Sequence, residues 1–294
     1  MKGQHKETRD ITIYLAIAFI PAYILDYTLL LPLLHSTNPL NQVFFLIGAI
    51  VRMMLPLIAS LTVLYLNNRL SEWRTQLGLI NPNIRNLLLA GSSAITLYTM
   101  ALVFSILFGS KPSSCGFLAQ MTSTITKASL ILVLLILGIL AGSTVNMIVA
   151  VGGEEAGWRG LLLNMLSPRI GIANSAIVIG IIWGLWHAPL IIAGYNYSLP
   201  GIESCIVPAK GLVALIVFTL TTISFTQLLV WLRVKTGSTL VSAAAHGTIN
   251  AVAGLYSLLI SGSALITPPA GLSVAASASI LVIILKQLTG KKDD

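Results

Sequence analysis

Apolar residues dominate this chain in runs that are long enough to cross a lipid bilayer. A bilayer core of about 30 Å needs roughly 20 apolar residues per helix. Segments that meet this need lie near residues 11–34, 43–66, 87–108, 128–150, 174–194, 211–232, 238–260 and 270–287. The fourth segment is expected to continue as one helix through Glu154 to about Leu166. The pattern predicts an all-α, polytopic transmembrane bundle of about eight spans, with residues 1–294 forming a single domain.

Composition supports the same class of protein. Hydrophobic residues make up 56% of the chain and charged residues 9%, and the mean hydropathy is +0.91. Soluble domains carry about 25% charged residues, so the chain is predicted to be an integral membrane protein. The net charge of +8 does not require a nucleic-acid partner, because basic residues collect at cytoplasmic membrane edges. The expected surroundings are therefore the lipid bilayer, and no nucleic acid is expected.

The positions of Lys and Arg predict the orientation of the chain in the membrane. With eight spans both termini lie on one side, and thirteen of the 17 Lys and Arg residues fall on that side. This bias predicts cytoplasmic termini. The same topology places the two cysteines, Cys115 and Cys205, in external loops. A disulfide between them and a pair of free thiols are both open alternatives there.

Three segments carry polar side chains where a membrane disfavours them, at a cost of about 2.5–3.5 kcal/mol for a charged group. They are "GGEEAGWRG", "IIWGLWHAPLII" and "LVSAAAHGTINAVAG". In the first, Glu155 and Arg159 are four residues apart on a helix, so they share a face and can pair. Glu154 points elsewhere and has no cation of its own, which suits general acid/base chemistry.

The other two segments place histidines inside apolar spans. Trp183 and His187 are four residues apart, and so are His246 and Asn250. Taken singly, these features are also typical of an interfacial cap, a packing histidine and an interhelical hydrogen bond. Taken together, they predict that three helices bring Glu154 and the two histidines with Asn250 to one pocket in the cytoplasmic half of the membrane.

Such a pocket has two chemical interpretations. Glutamate with histidine can deprotonate a water, and histidine with asparagine can donate to a developing oxyanion, which together would hydrolyse a peptide bond without a nucleophilic serine. Alternatively, Glu154, His187 and His246 are a familiar type of zinc ligand set. The helical HExxH zinc motif is absent.

The three segments resemble the motifs of the CPBP family of intramembrane proteases. This family includes the type II CAAX prenyl endopeptidases and the lysostaphin-resistance and bacteriocin-processing proteins. Its EExxxR motif matches Glu154 to Arg159, and its FxxxH motif matches Trp183 to His187, with Trp in place of Phe. Its HxxxN motif matches residues 246–250. The motif-bearing catalytic core would occupy about residues 128–260.

The resemblance implies an all-helical bundle that cuts membrane-associated peptides near the membrane surface, with a site that opens toward the cytoplasm. By it, Glu154 is the general base on water, helped by His187, and His246 with Asn250 holds the oxyanion. Glu155, Arg159 and Trp183 then have supporting roles. The family is labelled metallo-; the donor types favour no obligatory metal, because asparagine is a poor zinc ligand, and zinc stays the alternative. A lipidated, CAAX-type peptide is the substrate that the family suggests.

A membrane transporter or proton-coupled carrier is the alternative function, since intramembrane acids and histidines also relay protons. Asp26 and Arg52, in the first two predicted spans, suit that function or pair with each other.

Overall fold

The computed structural model describes residues 2–113, 140–149, 151–197, 206–257 and 259–290, and these are mostly helical. The helices are α1 (Lys2–Leu25), α2 (Pro39–Leu66), α3 (Trp73–Gln76), α4 (Ile84–Leu107), α5 (Leu140–Val149), α6 (Val151–Leu162), α7 (Leu163–Trp186), α8 (Ala188–Ile192), α9 (Gly211–Thr236), α10 (Thr239–Ser257) and α11 (Leu272–Thr289). Short helical turns at Asp26–Leu30 and Leu31–Leu33 extend α1, and a further turn at Leu70–Glu72 precedes α3.

Six of the described helical segments are long and apolar enough to cross a membrane. They are Lys6–Leu33, Pro39–Leu66, Ile84–Leu107, Gly153–Trp186, Gly211–Thr236 and Leu272–Thr289. The prediction of an all-α polytopic bundle is therefore confirmed, while the number of spans and the side of the termini stay predictions. Part of the fourth predicted span, residues 128–139, lies outside the described residues, as do both cysteines, Cys115 and Cys205.

The segment Gly153–Trp186 is a helical hairpin. Gly171 has φ 78° and ψ 163°, a conformation that glycine adopts without a Cβ penalty. The chain reverses direction there, and the two arms lie close enough for the Trp183 indole N–H to donate a hydrogen bond to Glu154. The span predicted to run from 174 to 194 ends earlier, at Trp186, since Pro189 cannot supply an N–H to continue the helix.

Helix α6 packs directly on the backbone of α2. A Cβ at Gly153 would collide with the carbonyl group of Met53, and a Cβ at Gly157 would lie 2.7 Å from the Tyr14 hydroxyl and closer still to Pro56. Glycine is therefore required at both positions for this approach. Small residues permit close helix packing in membranes, where dispersion contacts and hydrogen bonds drive association.

A small three-stranded sheet, which the sequence analysis did not predict, joins loops at the ends of three long helices. Strand β1 (Lys111–Pro112) follows α4, β2 (Ile206–Val207) precedes α9, and β3 (Ile260–Ser263) follows α10. The central strand β3 is antiparallel to β1 and parallel to β2. The sheet satisfies backbone groups of these loops and ties the helix ends together.

We expect Gly153→Ala to destabilise the fold by about 1–3 kcal/mol, because the new methyl group has no space beside the Met53 carbonyl. Gly91→Ala is the matched control: Gly91 lies within α4 and an added Cβ meets nothing within 4 Å. This control should be neutral or stabilising by up to about 1 kcal/mol. Thermal unfolding in detergent micelles measures both, and equal melting temperatures for the two variants would contradict the packing described above.

Candidate active site

The "GGEEAGWRG" segment forms the first turns of α6, which is π-helical over Val151–Leu162. π-Helical turns are rare and frequently occur at functional sites. The side chains of Glu154, Glu155 and Arg159 are all buried within the bundle, at 3%, 0% and 0% exposure. Two acids and one arginine are thus held away from both water and lipid, where each needs a partner.

Glu155 accepts hydrogen bonds from two other side chains of the site. Its Oε1 accepts a hydrogen bond from Arg159 Nη1 at 2.9 Å and another from His246 Nδ1 at 2.8 Å. Arg159 in turn donates from Nη2 to the Thr226 hydroxyl at 2.8 Å, and its guanidinium lies 4.4 Å above the Trp183 ring. The pair of Glu155 and Arg159 that their spacing predicts is present, and it links α6 to α7, α9 and α10.

Trp183 connects the remaining acid to both imidazoles. Its indole N–H donates to Glu154 Oε2 at 2.5 Å. The same ring packs edge to face against His246 and His187, with ring centroids 5.3 Å and 5.9 Å apart. Glu154 is therefore fixed by a neutral donor, and no ion pair to a cationic side chain holds it within the described part of the chain.

Hydrogen bonds to the two histidines define which ring nitrogen carries a proton. His187 Nδ1 lies 2.9 Å from the Trp183 carbonyl oxygen, which can only accept, so Nδ1 is the donor. His246 Nδ1 likewise faces the carboxylate of Glu155. In both residues Nε2 is the nitrogen left for chemistry, an arrangement common where a second group orients a catalytic or ligating histidine.

Access to the site differs among the four predicted residues. Glu154 and His246 are buried, His187 is half-buried and Asn250 is exposed. Asn250 lies one turn after His246 on α10, and its side chain makes no hydrogen bond to another described residue. The structure therefore brings Glu154, His187 and His246 together around Trp183 and leaves Asn250 at the exposed margin.

Zinc is the alternative occupant of this group of residues. A zinc site needs three or four N, O or S ligands at about 2.0–2.3 Å from a common point. Among the residues that the structure describes, no three His, Cys, Asp or Glu side chains are arranged to hold a metal ion. Glu154, His187 and His246 thus do not fit a zinc centre in this arrangement, and one oxygen of Glu154 is already hydrogen-bonded by Trp183.

Two contacts of the network could not be predicted from local sequence patterns. Thr226 is one of several hydroxyl residues in the middle of α9, and no spacing in the sequence relates it to Arg159, 67 residues away. The hydrogen bond between Glu155 and His246 joins residues 91 positions apart, so it depends on helix packing rather than on a local pattern. A hydroxyl residue within a span was the signal available for Thr226, and its neighbours in the same helix share that feature.

The fold and the site together define a polytopic membrane protein with a buried glutamate and two histidines on three helices. Residues 128–252, which include all three motifs, match the family model described as type II CAAX prenyl endopeptidase Rce1-like. A further match, 42% identical over 45 residues, is to the CAAX prenyl protease 2 of Methanococcus maripaludis. It covers 15% of this chain and 17% of that protein. These matches confirm the resemblance that the motifs predict.

Arg159→Ala should destabilise the protein by about 3–5 kcal/mol, because it leaves the carboxylate of Glu155 buried with one of its two donors removed. Arg69→Ala is the control, since Arg69 pairs with Glu72 at the same 2.8–2.9 Å but both side chains are 48% exposed. Exposed pairs contribute about 0–1 kcal/mol. Chemical denaturation in micelles measures the difference, and similar losses for the two variants would contradict a buried ion pair.

Proposed function

We propose that this protein is an intramembrane endopeptidase that hydrolyses a peptide bond of a membrane-associated substrate with a water activated by Glu154 and His187. The observation that carries the proposal is the buried carboxylate of Glu154, held by the Trp183 indole N–H beside two imidazoles. A carboxylate without a cation of its own, next to histidine, is suited to take a proton from water.

The proposed reaction begins at Glu154 and His187. Oε2 of Glu154 already accepts the hydrogen bond from Trp183. Oε1 has no hydrogen-bond partner among the described residues, so Oε1 takes the proton from the water. Nε2 of His187 carries the lone pair in the tautomer that the Trp183 carbonyl selects, and it accepts a hydrogen bond from the same water. The water oxygen then bonds to the peptide carbonyl carbon, whose oxygen becomes the oxyanion.

His246 and Asn250 are proposed to stabilise that oxyanion. In this proposal His246 acts in its doubly protonated form, in which Nδ1 donates to Glu155 and Nε2 donates to the oxyanion. The Asn250 amide, exposed on the next turn, supplies a further N–H when substrate arrives. Collapse of the oxyanion breaks the C–N bond, and Glu154 passes its proton to the leaving amine nitrogen.

The proposed substrate is a lipidated or otherwise membrane-associated peptide of the CAAX type, which the names of the matched family and relative suggest. The exposure of Asn250 and the partial exposure of His187 support entry of a peptide from that margin of the site. The excess of basic residues on the side of the termini supports an opening toward the cytoplasm. The catalytic core is proposed to span about residues 128–260 of a single domain.

The alternative of a transporter gains no support from Asp26 and Arg52. These two residues form a buried ion pair with each other at 2.6 Å, so neither is available as an unpaired relay group.

Cleavage of a membrane-tethered reporter peptide by the purified protein tests the proposal. Glu154→Ala and His187→Ala should each lower turnover by about 100-fold or more, because general acid/base groups contribute about 10²–10⁴-fold. Glu72→Ala and His35→Ala are the matched controls, since both residues are exposed and lie outside the site. Cleavage by Glu154→Ala at the wild-type rate would refute the assignment of the base.

The same assay tests whether a metal ion takes part. We propose a water activated by Glu154 without an obligatory metal, so activity should survive exhaustive chelation. Loss of activity on chelation, with recovery on adding zinc, would instead favour Glu154, His187 and His246 as ligands that rearrange around the ion.

A further inference from the structure

A second buried ion pair contacts Trp186, the residue that precedes His187. Arg52 on α2 donates from Nε and Nη2 to the two carboxylate oxygens of Asp26, at 2.6 Å and 3.1 Å. The exposed fractions of the two side chains are 3% and 0%. Burying two charges in the membrane is costly unless each makes further hydrogen bonds, so the remaining contacts of Arg52 are informative.

Those contacts lie at the end of α7, the helix that His187 directly follows. Arg52 Nη2 also donates to the carbonyl oxygen of Trp186, the residue before His187, at 2.5 Å. Its guanidinium covers the Trp186 ring at 3.7 Å from the centroid. The His187 imidazole packs against the same indole, with ring centroids 4.8 Å apart and planes at 88°. One cation therefore contacts both the backbone and the side chain that define where His187 lies.

The end of α7 needs such support because of the proline that follows it. Pro189 has no N–H, so the carbonyl of Leu185 cannot receive its helical hydrogen bond and accepts one from the Tyr23 hydroxyl instead, at 2.7 Å. A cation near the last carbonyls of a helix also complements the negative end of its dipole. Side chains from α1 and α2 thus replace the missing helical contacts around His187.

The residue next to Arg52 positions the other side of the site. Met53 presents its carbonyl group to Gly153, the residue before Glu154, at a distance that leaves no space for a Cβ. Adjacent residues of α2 therefore contact the residue before the proposed base and the residue before the proposed histidine. A shift of α2 would change the separation of Glu154 and His187.

We propose that Arg52, held by Asp26, is a positioning residue that fixes His187 relative to Glu154 for the hydrolysis of the peptide bond. This inference rests on the proposed function. Arg52 acts through Trp186 and does not itself contact the reacting groups. Misplacement of a reacting group by about 1 Å costs about 100-fold in rate, so loss of this support should lower kcat while leaving KM nearly unchanged.

The test replaces the whole pair, because Arg52→Ala alone would leave Asp26 buried without its partner and endanger folding. The double variant Arg52→Met/Asp26→Leu substitutes apolar side chains of similar size, which commonly preserves stability. It should remain folded while kcat falls about 10- to 100-fold and KM stays within about twofold. Arg52→Lys keeps the positive charge but loses the forked arrangement of guanidinium donors. Its kcat should lie between those of the wild type and the double variant.

The same double replacement at the exposed pair, Arg69→Met/Glu72→Leu, is the control and should leave kcat unchanged. A second readout does not depend on activity: ¹⁵N NMR of labelled histidine reports the tautomer of His187. The wild type should show a single tautomer protonated at Nδ1, and the Arg52→Met/Asp26→Leu variant a mixture. A folded double variant with wild-type kcat and an unchanged His187 tautomer would overturn the inference. A wild-type protein that cleaves no reporter would overturn the proposed function, while the tautomer measurement would still decide the positioning role.

Discussion

The site depends on one buried carboxylate that joins separate helices. Glu155 accepts hydrogen bonds from Arg159 on its own helix and from His246 on α10. Charged groups are expensive within a bilayer, and each is tolerated here because another polar group meets it. Arg159 extends the network to Thr226 on α9. Displacement of any of these helices would leave a charge unpaired in an apolar medium, so the network selects one arrangement of the bundle.

Close approach of the helix backbones allows that arrangement to form. Gly153 and Gly157 let α6 lie against α2, and the reversal at Gly171 returns Trp183 to the level of Glu154. Trp183 then serves as a packing surface for both histidines and as a neutral donor to the acid. A neutral donor holds Glu154 without satisfying its charge, and the proposed role of Glu154 as a base requires this.

The sequence predicted those features that depend on local spacing. Hydropathy located the helices, and the separation of four residues gave the pair of Glu155 with Arg159 and the common face of Trp183 and His187. The contact of Glu155 with His246 and that of Arg52 with Trp186 join residues 91 and 134 positions apart, and no periodicity encodes such contacts. The small sheet was missed because its strands are two to four residues long within loops.

The central claim is that Glu155 couples α6 to α10 through His246, and a double-mutant cycle measures this coupling most directly. The free energy of unfolding is determined in micelles for the wild type, Glu155→Gln, His246→Ala and the double variant. The account predicts that the two losses are not additive and that the coupling energy lies between about 0.5 and 3 kcal/mol. Losses that add within about 0.3–0.5 kcal/mol, as for distant and independent sites, would contradict it.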